Sequence, residues 1–288
     1  MIPLTITDVR SIPGDSAFLL DDGTTAVLYD TGFAFTGYKV ADRVREILGE
    51  RPLDYILLSH SHYDHALGSC YLHSRYPNVQ VVAGAYAQKI FSKPTAREMM
   101  RDLDRKAAAA LGIMEYEDLI DQLRADITVN DADVIRCGAM SFTAVELPGH
   151  TKCSIGYYLA ENRLLLASET LGVYFGEGVY LPSFLVGYGM TLDSIRKAGQ
   201  LDISRMLIPH YGVVSGEEAR DYLTNGEETA RRSARMILDQ LTQGKTTQEI
   251  LEYMTNILYT HQVKPAYPYA AFEMNTRIMI ELIRKELL

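Results

Sequence analysis

The chain has 288 residues, a formal net charge of −9 and ordinary fractions of apolar (47%) and charged (23%) residues. This length fits one large α/β domain, or one domain with an appendage, and allows a sizeable core. The acidic balance argues against nucleic acid as a partner, because phosphates require a basic face. The sequence has no run of about 18 apolar residues, so a membrane span is not expected.

The first residues and the cysteines bear on location. Residues 1–8 contain no cationic stretch and no long apolar core, so they do not predict a signal peptide. Cys70, Cys137 and Cys153 are odd in number and widely spaced, which indicates a reducing compartment without a disulfide framework. We therefore expect a cytoplasmic protein.

Short strands dominate the first 83 residues. Apolar runs predict strands over residues 4–10, 17–20, 25–29, 54–59 and 79–83, and an amphipathic pattern predicts a helix over residues 38–48. The third strand ends in Asp30-Thr31-Gly32, which simple turn chemistry explains equally well. Alternatively, Asp30 accepts a hydrogen bond from the outer nitrogen of a metal-bound histidine.

Three imidazoles and a carboxylate follow the fourth predicted strand. His60 and His62 lie on the loop that leaves this strand, and Asp64 and His65 at the start of the next helix. Residues two apart in an extended loop point the same way, so His60 and His62 can hold one ion. Imidazole suits zinc, iron and similar metals, and a carboxylate favours a second cation. The pattern predicts a metal-binding loop.

A helical stretch then interrupts the strands over about residues 85–124. Thr95 to Glu98 has the form of a capping box, and Gly112 is the predicted break. Such an insertion is either a lid over a site or an arm used for packing or oligomerisation.

Strands resume over residues 127–129, 133–136, 140–147, 154–159, 163–166 and 205–208. His150, Glu169 and His210 each follow the end of one of these strands. A lone histidine there is more often structural, but together with the earlier cluster these residues indicate further ligands. Helices are predicted over residues 191–199 and throughout the chain from Gly216 onward, with a capping box at Thr246–Glu249.

An aromatic, glycine-rich loop lies between Thr170 and Met190. Its aromatic side chains could line a substrate pocket, or pack beneath the loop as a small satellite core. The candidates are Tyr174, Phe175, Tyr180, Phe184 and Tyr188, with Tyr211 next to His210 as a further pocket residue and hydrogen-bond donor.

Over about residues 1–215 the chain resembles the metallo-β-lactamase-fold superfamily, in its glyoxalase-II-like branch. The resemblance is carried by Asp30-Thr-Gly, His60-x-His62-x-Asp64-His65, Pro148-Gly-His150-Thr, the acid after the 163–166 strand and Pro209-His210. It implies an α/β fold, an αββα sandwich with metals at one edge between two sheets. The insertion at 85–124 and a C-terminal helical extension over 216–288, docked on the domain, would be additions to this fold.

The resemblance also implies a ligand set. His60, His62 and His150 would hold a first metal ion, and Asp64, His65 and His210 a second. The usual bridging residue is aspartate, whereas this chain has Glu169, which is one methylene longer. Three outcomes are open: bridging with a shifted backbone, binding of one ion only, or one weak site. The implied cofactors are two divalent ions, zinc first, with iron or manganese as alternatives.

The activity implied is that of a dinuclear hydrolase, in which a metal-bound hydroxide attacks a small ester-like substrate such as a thioester or lactone. Asp64 would orient the nucleophile as a catalytic residue. Two other functions stay open: a mononuclear iron thiol or persulfide dioxygenase, and a metal-binding protein without catalysis. The expected partners are a small-molecule substrate and, through the C-terminal helices, a second copy in a homodimer, with neither nucleic acid nor membrane.

Overall fold

The computed structural model describes residues 2–288, and the chain divides into two compact units. The first unit comprises the chain up to Glu146 together with Ile155–Ala167, and the second comprises Leu147–Ser154 with Ser168–Leu288. Among the described residues, no helix is both long enough and apolar enough to cross a membrane.

A six-stranded mixed sheet forms one layer of the first unit. Its strands are β1 (Thr5–Asp8), β2 (Phe18–Asp21), β3 (Ala26–Tyr29), β4 (Tyr55–Leu57), β5 (Gln80–Gly84) and β6 (Ile127–Val129), paired in that order. The β1–β2 and β2–β3 pairs are antiparallel, and β3 to β6 pair in parallel. All four residues of β3 are buried, as its unbroken apolar run predicts for a central strand. The predicted strands are confirmed, with ends that differ by a few residues.

A second layer of the first unit consists of four antiparallel strands. These are β7 (Val134–Cys137), β8 (Met140–Glu146), β9 (Ile155–Leu159) and β10 (Leu164–Leu166), in the order β10-β9-β8-β7. The layers meet through Tyr157, whose hydroxyl donates to the Leu58 carbonyl at 3.0 Å, and through Tyr29, whose hydroxyl donates to the Ala167 carbonyl. The predicted sandwich of two sheets is confirmed.

The helices of the first unit are α1 (Gly37–Leu48), α2 (Tyr63–Ala66), α3 (Ser69–Arg75), α4 (Ala85–Phe91) and α5 (Pro94–Ala110). Gly68 lies between α2 and α3, where a Cβ would meet the Thr31 carbonyl oxygen at 1.9 Å. Only glycine therefore allows the backbone to approach so closely. The Thr31 N–H donates to the His65 carbonyl at 2.8 Å, so the loop after β3 and the helix after β4 are directly connected.

The helical prediction for residues 85–124 is correct only in its first two thirds. Helix α5 ends at Ala110, and Gly112 adopts a φ of +75°, which confirms the predicted break. Residues 111–119 then form no helix, and a single 3₁₀ turn spans Ile120–Gln122. The capping box at Thr95–Glu98 is wrong, because Pro94 occupies the first helical position and Lys93 the N-cap.

Helix α5 is anchored to the loop after β3 by a buried carboxyl group. Asp104 accepts hydrogen bonds from the Ala34 N–H at 2.8 Å and from the Tyr116 hydroxyl at 2.5 Å. Phe33, Phe35 and Ala108 form a buried cluster around this contact, with Tyr63 and Tyr116 packed against it. Burial raises the pKa of Asp104 from 3.8 to about 6.

We expect replacement of Asp104 by asparagine to remove a pH dependence of stability. A carboxyl pKa raised on folding stabilises the folded state below the unfolded pKa of 3.8, and this stability is lost as the pH rises through about 6. Between pH 4 and pH 7.5, the free energy of unfolding should therefore fall by about 2 kcal/mol more in the wild-type protein than in the Asp104→Asn variant. Urea unfolding at the two pH values measures this difference. Replacing the exposed Asp102 of the same helix by asparagine is the control, and an equal slope in both variants would contradict the prediction.

The second unit is mainly helical. It contains β11 (Val173–Tyr174), β12 (Tyr180–Leu181), α6 (Tyr188–Ala198), β13 (Arg205–Ile208), β14 (Gly212–Ser215), α7 (Gly216–Thr242), α8 (Thr247–Leu258) and α9 (Tyr269–Leu287). One apolar core joins the last three helices to residues 173–192, with Phe184, Ile250 and Met254 fully buried. The capping box of Thr246 and Glu249 is confirmed, and the predicted C-terminal helices are interrupted by residues 243–246 and 259–268.

Candidate metal centre

The loop after β4 carries four of the candidate ligands. His60 and His62 precede α2, and Asp64 and His65 lie within that helix, as the sequence predicts. His62 is the extended N-cap residue, with φ −73° and ψ 153°. The rings of His60 and His62 have centroids 4.6 Å apart, and those of His60 and His65 are 4.1 Å apart. The three imidazoles are therefore gathered at one point of the loop.

Asp30 supports this loop from beneath. It is fully buried, has a left-handed φ of +54°, and accepts hydrogen bonds from the Ser59 N–H at 2.8 Å and the Ser16 hydroxyl at 2.9 Å. Its Oδ2 also lies 2.8 Å from Nδ1 of His65. Because a carboxylate oxygen only accepts, the ring proton belongs on Nδ1, and Nε2 is left as the ligand atom. This is the arrangement by which a carboxylate orients a metal-binding histidine.

Ser59 extends the same arrangement to His60. Its hydroxyl lies 2.9 Å from Oδ2 of Asp30 and 2.9 Å from Nδ1 of the His60 ring. The Ser59 hydroxyl has one proton, which it donates in the hydrogen bond to the Asp30 carboxylate. Its oxygen therefore accepts a hydrogen bond from Nδ1 of His60. His60 is therefore also held with Nε2 as its ligand atom.

Glu169 contacts two histidines with its two oxygens. It begins a 3₁₀ turn just after β10 and is 5% exposed. Its Oε2 lies 2.9 Å from Nε2 of His150, and its Oε1 lies 3.4 Å from Nε2 of His210. His210 follows β13 with a φ of +62°, a left-handed conformation that is uncommon for a residue with a side chain and concentrates at functional sites.

These side chains form two groups of potential metal ligands. His60, His62, His150 and Glu169 make up one group, and Asp64, His65 and His210 the other; in each group the ligand atoms lie within 4.8 Å of one another. The groups offer imidazole nitrogen and carboxylate oxygen and no thiolate. Such donors fit zinc, iron or manganese, and the Nδ1 contacts of His60 and His65 give these rings the tautomer that binding through Nε2 requires.

Asp64 is the most accessible acid among the potential ligands. Its side chain is 23% exposed, and its Oδ2 lies 3.8 Å from Nε2 of His65. This carboxylate can therefore reach both a metal ion and a solvent molecule, whereas Asp30 is enclosed.

The six aromatic candidates do not all lie in one place. The Tyr174 ring packs against Tyr180 and Tyr211, with centroid distances of 4.7 and 4.6 Å. Phe184 is fully buried in the helical core and contacts Tyr188, whereas Phe175 contacts Tyr267. Tyr211 is 37% exposed.

Several supporting residues were not predicted from the sequence. Ser16, Ser59 and Ser183 contact Asp30, His60 and His150 through their hydroxyl groups. Ser59 directly precedes His60, so its position could have suggested the role. Ser183 lies 33 residues from His150, and no local pattern distinguishes it from an ordinary loop serine.

Comparisons with known proteins agree with this centre. The family model of the metallo-beta-lactamase superfamily matches residues 14–210. A glyoxylase B2 of Dictyostelium discoideum is 25% identical over 138 residues, which is 47% of this chain and 42% of that protein. A hydroxyacylglutathione hydrolase of Stenotrophomonas maltophilia (strain R551-3) is 30% identical over 144 residues, 50% of this chain and 41% of that protein. The match thus spans less than half the length of these two relatives.

A solved structure shows the same fold. A metallo-beta-lactamase family protein from Thermus thermophilus superposes with a TM-score of 0.67 at 18% identity, over 99% of this chain and 94% of that one. The family match covers more than half of the chain and extends from before Asp30 to His210. The chain therefore belongs to the metallo-beta-lactamase superfamily.

Proposed function

We propose that the chain is a hydrolase that binds two divalent metal ions, with zinc as the first candidate, and cleaves a small ester-like substrate such as a thioester or lactone. The observation that carries this proposal is the position of Glu169, whose two oxygens face His150 and His210. These histidines belong to different ligand groups. A carboxylate that faces both groups would be available as a ligand to an ion in either of them.

When bound, such ions would supply Lewis acidity and lower the pKa of a bound water toward about 7. The residues of the chain supply orientation. Asp64 is the candidate catalytic residue, because a partly exposed carboxylate oxygen beside His65 can accept a hydrogen bond from the attacking water and orient it. Asp30 and Ser59 keep His65 and His60 in a single tautomer, so that these rings need no rearrangement during turnover.

The exposed edge of the aromatic loop supports a substrate-facing role for Tyr211. It follows His210 directly, and its ring rests on Tyr174, whose hydroxyl donates to Glu218 at 2.5 Å. A tyrosine hydroxyl in this position could donate to the negative charge that develops on a substrate oxygen. Phe175 and Tyr188 are half-buried and can line the same loop, whereas Tyr174, Tyr180 and Phe184 are buried and pack beneath it.

The relatives give independent support for the reaction class. One of them is named a hydroxyacylglutathione hydrolase, and its match with this chain covers 144 residues. Its name describes release of an acyl group from a thiol by water, and the same type of reaction on a small acyl substrate suits the ligands of this chain.

Metal analysis of the untagged protein by mass spectrometry, followed by an activity panel, tests the proposal. We expect two ions per chain and cleavage of a thioester or lactone that a chelator abolishes and zinc restores. Replacing His150 by alanine should remove activity, whereas replacing the exposed His261, which lies outside both ligand groups, should not. A protein loaded with two ions that cleaves no ester, thioester, lactone, amide or phosphodiester would overturn the proposal. Iron content with oxygen uptake on a thiol would establish the dioxygenase instead.

The proposed location and assembly follow from other features. All three cysteines are buried thiols, which supports a reducing compartment such as the cytoplasm. A homodimer stays a prediction, and light scattering on the purified protein measures it directly.

A further inference from the structure

The imidazole of His150 is held from a segment far along the chain. Its Nδ1 lies 2.6 Å from the hydroxyl oxygen of Ser183 and 3.2 Å from the carbonyl oxygen of the same residue. Both His150 and Ser183 are buried, with 3% and 4% of their surface exposed. One residue thus presents two oxygens to one ring nitrogen.

The carbonyl oxygen decides the direction of this hydrogen bond. A hydroxyl can donate or accept, but a carbonyl can only accept. With both oxygens beside Nδ1, this nitrogen carries the proton and donates it to the two oxygens of Ser183. This contact occupies Nδ1 and leaves Nε2, the atom that faces Glu169 at 2.9 Å, as the nitrogen that a metal ion would take. Ser183 therefore orients the ring for metal binding through Nε2.

The segment that carries Ser183 rests on the C-terminal helices. Leu181 and Phe184 flank it and belong to the same apolar core as Ile250, Met254 and Ile280. Leu181 and Pro182 also line a small cavity of about 10 Å³, whose other lining residues include Leu258, Phe272 and Met279. Space of this size leaves the segment little freedom to move.

We propose that Ser183 is a positioning residue for His150, and that helices α8 and α9 fix its place by packing beneath residues 181–184. This inference rests on the proposed metal-binding role of His150. The C-terminal helices would thus help to orient a metal ligand, through the loop that connects β12 to α6.

Two measurements on the full-length protein test the serine. The first is zinc affinity, measured by competition between metal-free protein and a chromogenic chelator. We expect Ser183→Ala to weaken the tightest zinc binding by about 10- to 100-fold, the usual effect of removing a partner of a metal-binding histidine. The second is the nitrogen NMR spectrum of the histidine side chains in metal-free protein, where the Nδ1 signal of His150 should shift, because only the longer contact of 3.2 Å with the carbonyl oxygen remains. This spectrum does not depend on activity or on bound metal.

Matched variants separate a specific effect on the position of His150 from a general loss of folding stability. Ser233→Ala removes another fully buried hydroxyl of the second unit and should leave both measurements unchanged. Ser183→Thr keeps a hydroxyl and should restore most of the affinity. Zinc affinity and His150 signals that are unchanged in Ser183→Ala would overturn the role of the serine. Failure of the wild-type protein to bind zinc would instead overturn the proposed function, and the NMR comparison would still show whether the Ser183 hydroxyl holds Nδ1 of His150.

The contribution of the helices is tested by a pair of identical substitutions. Met279→Ala, on α9, enlarges the cavity beneath Pro182, whereas Met100→Ala, on α5 of the first unit, removes another buried methionine that belongs neither to that cavity nor to the helical core. We expect a loss of zinc affinity and a shift of the His150 signals in the first variant only. Equal effects of the two substitutions would overturn the role assigned to the helices.

Discussion

A Glu169→Asp protein is expected to hold about one metal ion per chain instead of two, and to lose hydrolytic activity by about 100-fold or more. The glutamate oxygens now lie 2.9 Å from Nε2 of His150 and 3.4 Å from Nε2 of His210. Aspartate is shorter by one carbon–carbon bond, about 1.5 Å, so a carboxyl group on the same backbone cannot remain close to both rings. Mass spectrometry of bound metal and the rate of thioester cleavage measure the two effects.

The folding of this variant should be nearly unchanged, because it retains a buried carboxylate beside His150. Glu161→Asp makes the same change on an exposed 3₁₀ turn and is the matched control. Unchanged rate and unchanged metal content in Glu169→Asp would mean that this side chain does not contact the ions. A backbone shift that lets the shorter acid reach both histidines would appear as full metal content with an altered rate.

Replacing Asp30 by alanine is expected to lower the free energy of unfolding by about 3–5 kcal/mol, measured by urea denaturation of the metal-free protein. The carboxylate accepts from Ser16 and from the N–H and hydroxyl of Ser59, and it contacts Nδ1 of His65. All of these groups are buried, and each donor left without an acceptor costs about 1–3 kcal/mol. The left-handed φ of +54° adds a further cost, since aspartate tolerates this conformation better than alanine does.

Asp193→Ala is the control for this experiment, because Asp193 pairs with Arg196 on the surface and its side chain is 70% exposed. Its loss should cost less than about 1 kcal/mol. Asp30→Asn has nearly the same shape but offers only one acceptor oxygen, so its stability should lie between those of Asp30→Ala and the unchanged protein. A loss below about 1 kcal/mol in Asp30→Ala would show that water replaces the carboxylate.

The ligand loops could be predicted because each loop that carries candidates follows a strand. Short apolar runs before Asp30, His60 and His210 are strong local signals, and the strands that they predict are present. The parallel strands β3 and β4 end at the same edge of their sheet, which places Asp30 near Ser59 and His65.

Other features depended on contacts that no local pattern records. The helical pattern was predicted to continue beyond the break at Gly112, but residues 111–119 form no helix, and the Tyr116 hydroxyl donates to Asp104. The oxygens of Ser183 meet His150 only because distant helices support its loop. The two-residue strands β11 and β12 are too short to leave a period-two pattern in the sequence.

The anchoring of α5 by Asp104 has a consequence for the motion of this helix. Swinging it outward would strip two hydrogen bonds from a buried carboxyl group and expose the Phe33 and Phe35 rings to water. Both changes cost free energy. We therefore expect α5 to hold its position on the first unit rather than to open and close during turnover.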